Sequence, residues 1–439
     1  MNHKTLLKLS EPYMAYAYSY PHKTAYRYFD EPIDIEEIWK SESKESLFLY
    51  FHIPFCEMRC GFCNLFTTAH PPEQMQERYM SALELQSKVV VKALGRASFS
   101  RMAIGGGTPT YLDAQHLERL FLIAEEIFEV DCAATPISIE TSPGTATLEK
   151  LKVLRDHNVE RVSIGVQSFV DAEAASAGRS QRALEVEQAL RRINSFEFPV
   201  LNIDLIYGLA GQDKESWLYS LERALEHAPA EVYLYPLYVR PLTGMARQDK
   251  HWSDLRQELY HIGCLFLRSR GFRQTSMRMF QSERVIKSTG PQYCCQKDGM
   301  VGIGAGARSY TQKLHYAVDF AVGAEAVRSI IDRYSDNSAD EFLRVYNGFQ
   351  LNVHEQQRRV IIQSLLQMEG LAVGEYRARF GSSALDDLPF LNELLNSGLA
   401  ALDGDTIALT EHGVAMSDAI GFELYSDCVK RLMAQYESK

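Results

Sequence analysis

The chain has too few cysteines and too little positive charge for two broad classes of protein. Eight cysteines in 439 residues are too sparse for a scaffold held together by disulfides. The formal charge of −11 argues against a general surface for nucleic acid or anionic membrane, because such surfaces need clustered Lys and Arg. A local basic pocket is compatible with this balance.

Long apolar runs, internal repeats and low-complexity tracts are also missing, and we expect no cleavable leader. The run Val89–Val91 is bounded by Lys88 and Lys92, far short of the ~20 apolar residues of a membrane-spanning helix. No apolar segment of a secretory signal follows the polar start Met1 to Lys4. We therefore expect a cytoplasmic protein that works without a membrane or a nucleic acid.

The middle of the chain alternates short apolar runs with longer amphipathic segments. This alternation is typical of strand–helix units around a parallel sheet. The predicted strands are 47–53, 100–104, 136–141, 161–166, 200–205 and 232–238. The predicted helices lie around 80–91, 117–128, 147–157 and 217–228. We expect an α/β fold with an open or closed barrel, whose functional residues lie at the carboxyl ends of the strands.

The chain divides into three predicted segments. Residues 1–46 are rich in Tyr and are interrupted by Pro21 and Pro32, which favours an irregular arm packed on the barrel. Residues 47–322 are predicted to form the barrel and its extension. The strand alternation stops beyond them, so residues 323–439 are predicted to form a small helical domain.

The predicted C-terminal domain has the pattern of a winged helix. Residues 357–368 form an amphipathic helical pattern, and a second helix from Leu391 ends at Gly398. A short strand pair around Gly404 follows, and another helix begins at Glu411.

The strongest chemical motif is Cys56, Cys60 and Cys63 in a CxxxCxxC loop directly after the first predicted strand. Three thiolates at this spacing can hold three irons of a 4Fe-4S cluster, which leaves the fourth iron open to a substrate or cofactor. Zinc is the alternative. It prefers four ligands and CxxC pairs, and no second pair with suitable spacing is present.

A glycine run, Gly105 to Pro109, follows the next predicted strand. Residues without Cβ let the backbone approach an amino-acid group closely. A CxxxCxxC loop after one strand and this run after the next resemble the radical S-adenosylmethionine (SAM) superfamily. The resemblance implies that the open iron chelates the amino and carboxylate groups of SAM. It also implies that reductive cleavage of SAM yields a 5′-deoxyadenosyl radical.

The resemblance narrows to the oxygen-independent coproporphyrinogen III oxidase-like family, which also contains heme chaperones and class C radical SAM methyltransferases. It covers roughly residues 47–415, with several motifs in the same order. These motifs are 50–56, 139–143, 165–168, 178–179, 204–209 and 302–307. The fold implied is an incomplete (β/α) barrel with a small C-terminal helical domain.

The family resemblance also implies a set of cofactor-binding residues. They are Tyr50, Gly106, Gly107, Thr108, Glu140, Gln167, Arg179 and Asp204. Gly107 and Thr108 would meet the methionine part of SAM. Arg179 would pair with its carboxylate, since a guanidinium matches a carboxylate fork. The acidic and amide side chains would bind its amino, ribose or neighbouring groups, and the tyrosine would lie close to the cluster.

Two branch-specific features are absent. The oxidases of the family resemble CxxxCxxCxC, whereas Asn64 and Leu65 follow Cys63 here. The chaperone branch has a histidine-containing heme-binding stretch, but residues 289–294 contain no histidine, the natural axial ligand of heme iron. Neither branch fits fully.

Two further positions stay open between a functional and a structural role. Cys294 and Cys295 are adjacent, so a disulfide between them would be strained. Adjacent free cysteines are usually structural or incidental, but their place just before a family motif makes them candidate catalytic residues, as a substrate-facing or hydrogen-donating thiol. His52 is either a polar group near the cluster or part of a buried strand end.

Together these features predict a radical SAM enzyme with one 4Fe-4S cluster and at least one SAM. The predicted partners are a small-molecule substrate, either a tetrapyrrole or another organic molecule, and an electron donor such as flavodoxin or ferredoxin. Three activities stay open: oxidation of a porphyrinogen-like side chain, methyl transfer with two SAM molecules, and non-catalytic heme carriage.

Overall fold

A computed structural model describes residues 9, 12–13, 19–247, 253–284 and 298–436. The strands are β1 (Arg27–Asp34), β2 (Leu47–Ile53), β3 (Phe55–Cys56), β4 (Thr68–Ala69), β5 (Phe99–Gly106), β6 (Ile137–Thr141), β7 (Arg161–Gln167), β8 (Val200–Tyr207), β9 (Glu231–Pro236), β10 (Phe272–Gln274), β11 (Met279–Ser282), β12 (Met300–Ile303), β13 (Arg308–Tyr310), β14 (Leu314–Ala317), β15 (Arg344–Gln350), β16 (Leu371–Ala372), β17 (Ala400–Asp403) and β18 (Thr406–Leu409).

The helices surround these strands or form the C-terminal unit. They are α1 (Ile35–Trp39), α2 (Glu73–Leu94), α3 (Ala114–Leu122), α4 (Leu148–Asp156), α5 (Asp171–Ser176), α6 (Ala183–Asn194), α7 (Lys214–Leu225), α8 (Arg256–Ser269), α9 (Ala324–Asp336), α10 (Ala339–Phe342), α11 (Val353–Leu365), α12 (Val373–Phe380), α13 (Ala384–Asp387), α14 (Phe390–Ser397), α15 (Glu411–Ala415), α16 (Ser417–Glu423) and α17 (Asp427–Ala434).

A run of parallel strands forms the middle of the large sheet, in the order β12-β2-β5-β6-β7-β8-β9. The six strands predicted from the sequence are β2 and β5 to β9, which confirms the α/β barrel class. Their faces alternate. Leu47, Leu49 and Phe51 of β2 are buried in one hydrophobic cluster with Leu83 of α2, while Tyr50 is half-buried on the opposite face.

Both ends of the large sheet differ from the expected pattern. Within the described residues the sheet has thirteen strands and begins β1-β15-β14-β13. The expectation of an irregular arm missed β1, whose Pro32 is tolerated because β1 is an edge strand. The expectation that strands stop after Gly323 missed β15, which pairs with β1 and β14. The three-segment division itself stays a prediction.

The C-terminal unit has its own hydrophobic core. Strands β16, β17 and β18 form a small antiparallel sheet, and Ile361, Leu391, Leu394 and Ile407 are fully buried beneath it and its helices. The predicted order of helix, glycine stop, strand pair and helix matches α14, β17, β18 and α15. Gly398 ends α14 in the left-handed conformation.

None of the helices within the described residues combines the length and the apolarity that crossing a membrane requires.

Candidate cofactor-binding site

The cysteine loop starts at the end of β3 and is fixed by backbone hydrogen bonds. The Gly61 N–H donates to the Ala177 carbonyl at 2.8 Å, and the Met245 N–H donates to the Gly61 carbonyl at 2.8 Å. A Cβ at Gly61 would lie 2.8 Å from the Ala177 oxygen. This close approach requires glycine between Cys60 and Phe62.

Each cysteine sulfur of the loop has a polar side chain beside it. Thr108 Oγ1 lies 3.7 Å from Cys56 Sγ, and Arg179 Nη1 lies 3.6 Å from Cys60 Sγ. Thr67 Oγ1 lies 3.9 Å from Cys63 Sγ. Hydrogen bonds to the coordinating sulfurs help to set the reduction potential of an iron–sulfur cluster.

The thiols suit an iron–sulfur cluster better than a single zinc ion. Among the described residues, a set of three donor atoms within 4.8 Å of one another occurs at Glu125, Cys132 and His157, and not at the cysteine loop. One zinc ion needs its ligand atoms close together, whereas a cluster binds each thiolate through a different iron. Burial raises the pKa of Cys56 to about 12, so a bound cation is needed to hold its thiolate.

The glycine run brings the end of β5 against the cysteine loop. The Gly107 N–H donates to the Ile53 carbonyl at 2.8 Å. A Cβ at Gly107 would lie 2.6 Å from the Phe55 oxygen and 2.9 Å from Cys56 Sγ. At Gly106 the positive φ of 116° also favours glycine.

His52 is buried at the end of β2, and whether it also serves as a polar group near the cluster stays a prediction. Its Nδ1 lies 3.2 Å from the Tyr50 hydroxyl, and its Nε2 lies 3.2 Å from the Phe66 carbonyl. Burial lowers the pKa of His52 to about 4, so the ring is neutral. A Cβ at Gly106 would lie 2.7 Å from this ring. His52 therefore orients the tyrosine beside the glycine turn.

Two carboxyl groups face the interior of the barrel. The Gly106 N–H donates to Glu140 Oε2 at 3.2 Å, and Asn202 Nδ2 donates to Asp204 Oδ1 at 2.7 Å. Burial, with the charge of Asp204, raises the pKa of Glu140 to about 7, and burial raises the pKa of Asp204 to about 6. Glu140 nevertheless stays exposed to solvent and Asp204 half-exposed. Such a pair favours a cationic ligand.

Arg179 links the cysteine loop to these carboxyl groups. It is buried, and its Nη2 donates to the Gly165 carbonyl at 2.5 Å. Its positive charge partly offsets the rise in the pKa of Asp204. Its Nη1 lies beside Cys60, as described above. Gln167, also buried, has a positive φ of 70° at the end of β7. The structure thus brings together all eight side chains or glycines predicted to bind the cofactor, although their binding roles stay predictions.

A basic group beside the cysteine loop was not predicted. His22 is within electrostatic reach of Lys23, Arg240 and Arg308, and Lys23 is within reach of Arg308. The Lys23 ammonium lies 3.5 Å from the Phe320 ring centroid. The Cys63 sulfur partly offsets the lowering of the Lys23 pKa. Burial and the neighbouring cations lower the pKa of Lys23 well below its usual value and that of His22 to about 3. His22 and Lys23 are adjacent, but Arg240 and Arg308 are far from them in sequence, so no local motif joins the group.

Cys294 and Cys295, the predicted catalytic thiols, lie outside the described residues, as does the 289–294 stretch compared with the chaperone branch.

Comparison with known proteins identifies the family. The Radical SAM superfamily model matches residues 50–224. The heme chaperone HemW of Lactococcus lactis is 30% identical over 275 residues, which are 61% of this chain and 70% of the relative. The chain therefore belongs to the coproporphyrinogen III oxidase-like family of radical SAM proteins. Membership implies binding of a 4Fe-4S cluster and SAM.

Both branches of the family are represented among the relatives of this radical SAM protein. The heme chaperone HemW of Bacillus subtilis is 25% identical, over 84% of this chain and 97% of the relative. The oxygen-independent coproporphyrinogen III oxidase of Escherichia coli is 27% identical, over 84% of this chain and 82% of the relative. The solved structure of coproporphyrinogen III oxidase (HemN) from Escherichia coli has a TM-score of 0.77 and 23% identity, over 96% and 97% of the two chains. It confirms the fold.

Proposed function

We propose that this protein is a radical SAM enzyme whose 4Fe-4S cluster is held by Cys56, Cys60 and Cys63. The observation that carries the proposal is the cysteine loop itself, with a hydrogen-bonding side chain beside each sulfur. When bound, the cluster and SAM supply reductive cleavage of SAM to a 5′-deoxyadenosyl radical.

The charged side chains of the site complement the ammonium and carboxylate groups of the amino-acid part of SAM. Glu140 and Asp204 carry raised pKa values, so each gains from an ammonium or hydroxyl donor nearby. Arg179 can pair with a carboxylate through its guanidinium. Gly106 and Gly107 leave room for the backbone of the cofactor, and the remaining predicted residues, Tyr50, Thr108 and Gln167, surround the same space.

The basic group supports a substrate that carries carboxylates. His22 lies within electrostatic reach of Lys23, Arg240 and Arg308, and Lys23 is within reach of Arg308 and Cys63. A carboxylate of the substrate would favour the protonated form of Lys23 and interact favourably with the two guanidinium groups. Relatives named for coproporphyrinogen and heme make a tetrapyrrole with acidic side chains the substrate class we propose, with reduction by a donor such as flavodoxin or ferredoxin.

Anaerobic product analysis tests the substrate. Reconstituted protein is incubated with SAM, a reductant and coproporphyrinogen III, and all nucleoside and porphyrin products are identified by mass spectrometry. We expect oxidised porphyrinogen product and 5′-deoxyadenosine from the wild type. Lys23→Met should lose most substrate product while still cleaving SAM, whereas Lys152→Met on an exposed helix surface should match the wild type. Equal product from both variants would remove the proposed role of the basic group.

Heme carriage is the second candidate, favoured by the match to the Bacillus subtilis heme chaperone over 97% of its length. Heme titration decides between the two: stoichiometric heme binding without any porphyrinogen product supports the carrier. Methyl transfer with a second SAM is distinguished in the same reactions, because it yields S-adenosylhomocysteine.

The role of Cys294 and Cys295 in substrate chemistry also remains a proposal. If a thiol there donates hydrogen or positions the substrate, the double Ala variant should cleave SAM and form little substrate product. A normal ratio of product to 5′-deoxyadenosine would eliminate the catalytic role.

A further inference from the structure

A cluster of metal-ligand side chains lies on the barrel away from the cysteine loop. Glu125 stands in a π turn, Ile123–Ile127, that continues α3. Cys132 follows in the connection to β6, and His157 caps the end of α4. One ligand atom from each of the three lies within 4.8 Å of the other two. Three separate parts of the chain therefore meet at one point. π turns are frequent at functional sites.

The imidazole of His157 is held in one orientation. Its Nδ1 lies 3.2 Å from Glu125 Oε1, and its Nε2 lies 3.1 Å from Glu118 Oε1. Its ring stacks on Phe121, with centroids 4.4 Å apart and planes at 6°. A ring fixed by a carboxylate on its far nitrogen is the arrangement that metal-binding histidines commonly have.

The cluster has the donor chemistry and charge that suit a cation. Cys132 and His157 are buried, and the Cys132 thiol hydrogen-bonds the Glu125 carboxylate. Glu118 and Glu125 surround a single imidazole, so the group carries an excess of negative charge unless a cation joins it. A thiolate, an imidazole and a carboxylate together are ligands that zinc accepts, whereas magnesium and calcium prefer oxygen alone.

We propose that Glu125, Cys132 and His157 bind one zinc ion through a carboxylate oxygen, Sγ and Nδ1, with water as the fourth ligand. Glu118 would accept the Nε2 proton of His157 and orient the ring. Zinc bonds of about 2.0–2.3 Å bring ligand atoms to within roughly 4 Å of one another, so only small side-chain shifts are needed.

The zinc site would be remote from the cofactors. Cys132 and His157 precede β6 and β7 and therefore lie at the amino ends of these parallel strands. Glu140 lies near the carboxyl end of β6, and a strand of five residues spans about 16 Å. The ion would join α3 and α4 beneath the barrel, and its presence does not depend on the proposed enzymatic function.

Metal binding is tested on the holo protein, with its 4Fe-4S cluster reconstituted so that the loop cysteines are occupied. Zinc is titrated against a chromophoric chelator, and cobalt(II) is used as a spectroscopic substitute that reveals thiolate ligation. We expect the wild type to bind one zinc ion that Cys132→Ala does not bind, and to show a thiolate–cobalt band that this variant lacks. Cys264→Ala removes another buried thiol and should keep both the ion and the band.

A second variant keeps the ligands and guards against misfolding. Glu118→Gln retains all three ligand atoms, so it should still bind zinc with a ten- to hundredfold lower affinity. Zinc should also raise the unfolding temperature of the wild type and of Cys264→Ala, but not that of Cys132→Ala. Equal zinc stoichiometry and affinity in the wild type and Cys132→Ala would overturn the proposal. A zinc-free wild type at micromolar metal would do the same, leaving His157 as a simple ion-pair residue.

Discussion

At the scale of single residues, the Glu140 carboxyl group lies in an environment that lowers the stability of the folded protein. The pKa of Glu140 is raised to about 7 by burial and by Asp204. A carboxyl group whose pKa is raised on folding destabilises the protein progressively as the pH rises from its ordinary pKa to the raised value, because the unfolded chain ionises it more easily. A bound cationic group would offset this cost, which is why the position suits a ligand.

Replacing Glu140 by Gln should therefore stabilise the protein and weaken SAM binding. At about pH 8 the variant should unfold at a higher temperature than the wild type, and the difference should vanish as the pH falls towards about 4, where the carboxyl group is protonated in both states. Thermal unfolding across this pH range measures it, with the exposed Glu226→Gln as control. A variant less stable than the wild type at high pH would contradict the assigned environment.

Arg179→Ala should weaken SAM binding without releasing the cluster. Loss of one charge-assisted hydrogen bond costs about 1.5–3 kcal/mol, roughly ten- to a hundredfold in affinity. Equilibrium binding of SAM to the reconstituted protein measures the change, and iron content checks the cluster. Arg223→Ala, which pairs with glutamates on the outer surface, is the control. Unchanged SAM affinity in Arg179→Ala removes its proposed role.

Residue patterns revealed the cysteine loop and the glycine run, because those motifs are local in sequence. The basic group could not be predicted in the same way. Lys23 and Arg308 are far apart in the chain and meet because β13 returns beside the barrel strands. Glu125, Cys132 and His157 are joined by helix packing, so Cys132 looks isolated in the sequence.

At the scale of elements, the end of β5 fits the cysteine loop through glycine alone. A methyl group at Gly107 would meet backbone and sulfur, 2.6 Å from the Phe55 oxygen and 2.9 Å from Cys56 Sγ. At Gly105 it would meet only the Glu140 carboxylate, at 3.2 Å. At Gly107 the backbone of Phe55 and the Cys56 sulfur would have to move, whereas at Gly105 the Glu140 side chain would have to move.

Alanine at these two glycines should therefore have different effects. Gly107→Ala should displace the loop and lose most of the iron–sulfur absorbance after reconstitution. Gly105→Ala should keep the cluster and bind SAM more weakly, since only a flexible side chain shifts. Iron and sulfide analysis with SAM binding on both variants measures this. Full cluster content in Gly107→Ala would show that the loop and β5 are less tightly packed than described.

The barrel strands can be predicted from the sequence more readily than the strands at the edge of the large sheet. Strands β2 and β5 to β9 are buried and strongly apolar, so periodicity predicts them. Strand β1 contains Pro32, and β15 begins Arg344-Val345-Tyr346 with alternate exposed positions. Polar edge strands resemble loops in sequence, and only their pairing with β14 and with each other makes them strands.

At the scale of the whole molecule, one buried ion pair joins the barrel to the C-terminal unit. Arg278 Nη2 donates to Asp418 Oδ2 at 2.5 Å, and both side chains are 3% exposed. Tyr238 also donates to Asp418, and Arg278 donates to the Tyr207 hydroxyl at 3.3 Å. Removing one partner would leave a buried charge uncompensated.

Asp418→Ala should therefore destabilise the protein by about 3–5 kcal/mol. Urea-induced unfolding measures the loss. Glu411→Ala breaks a second contact between the same two units, with Arg268, but Glu411 is 77% exposed, so its loss should cost about 1 kcal/mol or less. Similar costs for the two variants would mean that the buried pair does not hold the units together.

The most direct test of the whole account is reductive cleavage of SAM by the reconstituted protein under anaerobic conditions. The wild type should form 5′-deoxyadenosine, and Cys264→Ala should match it. Simultaneous replacement of Cys56, Cys60 and Cys63 by Ala should abolish both the iron–sulfur absorbance and the nucleoside product, while circular dichroism shows the fold retained. A triple variant that keeps cluster and product, or a fully loaded wild type that forms no 5′-deoxyadenosine, would contradict the proposed enzyme.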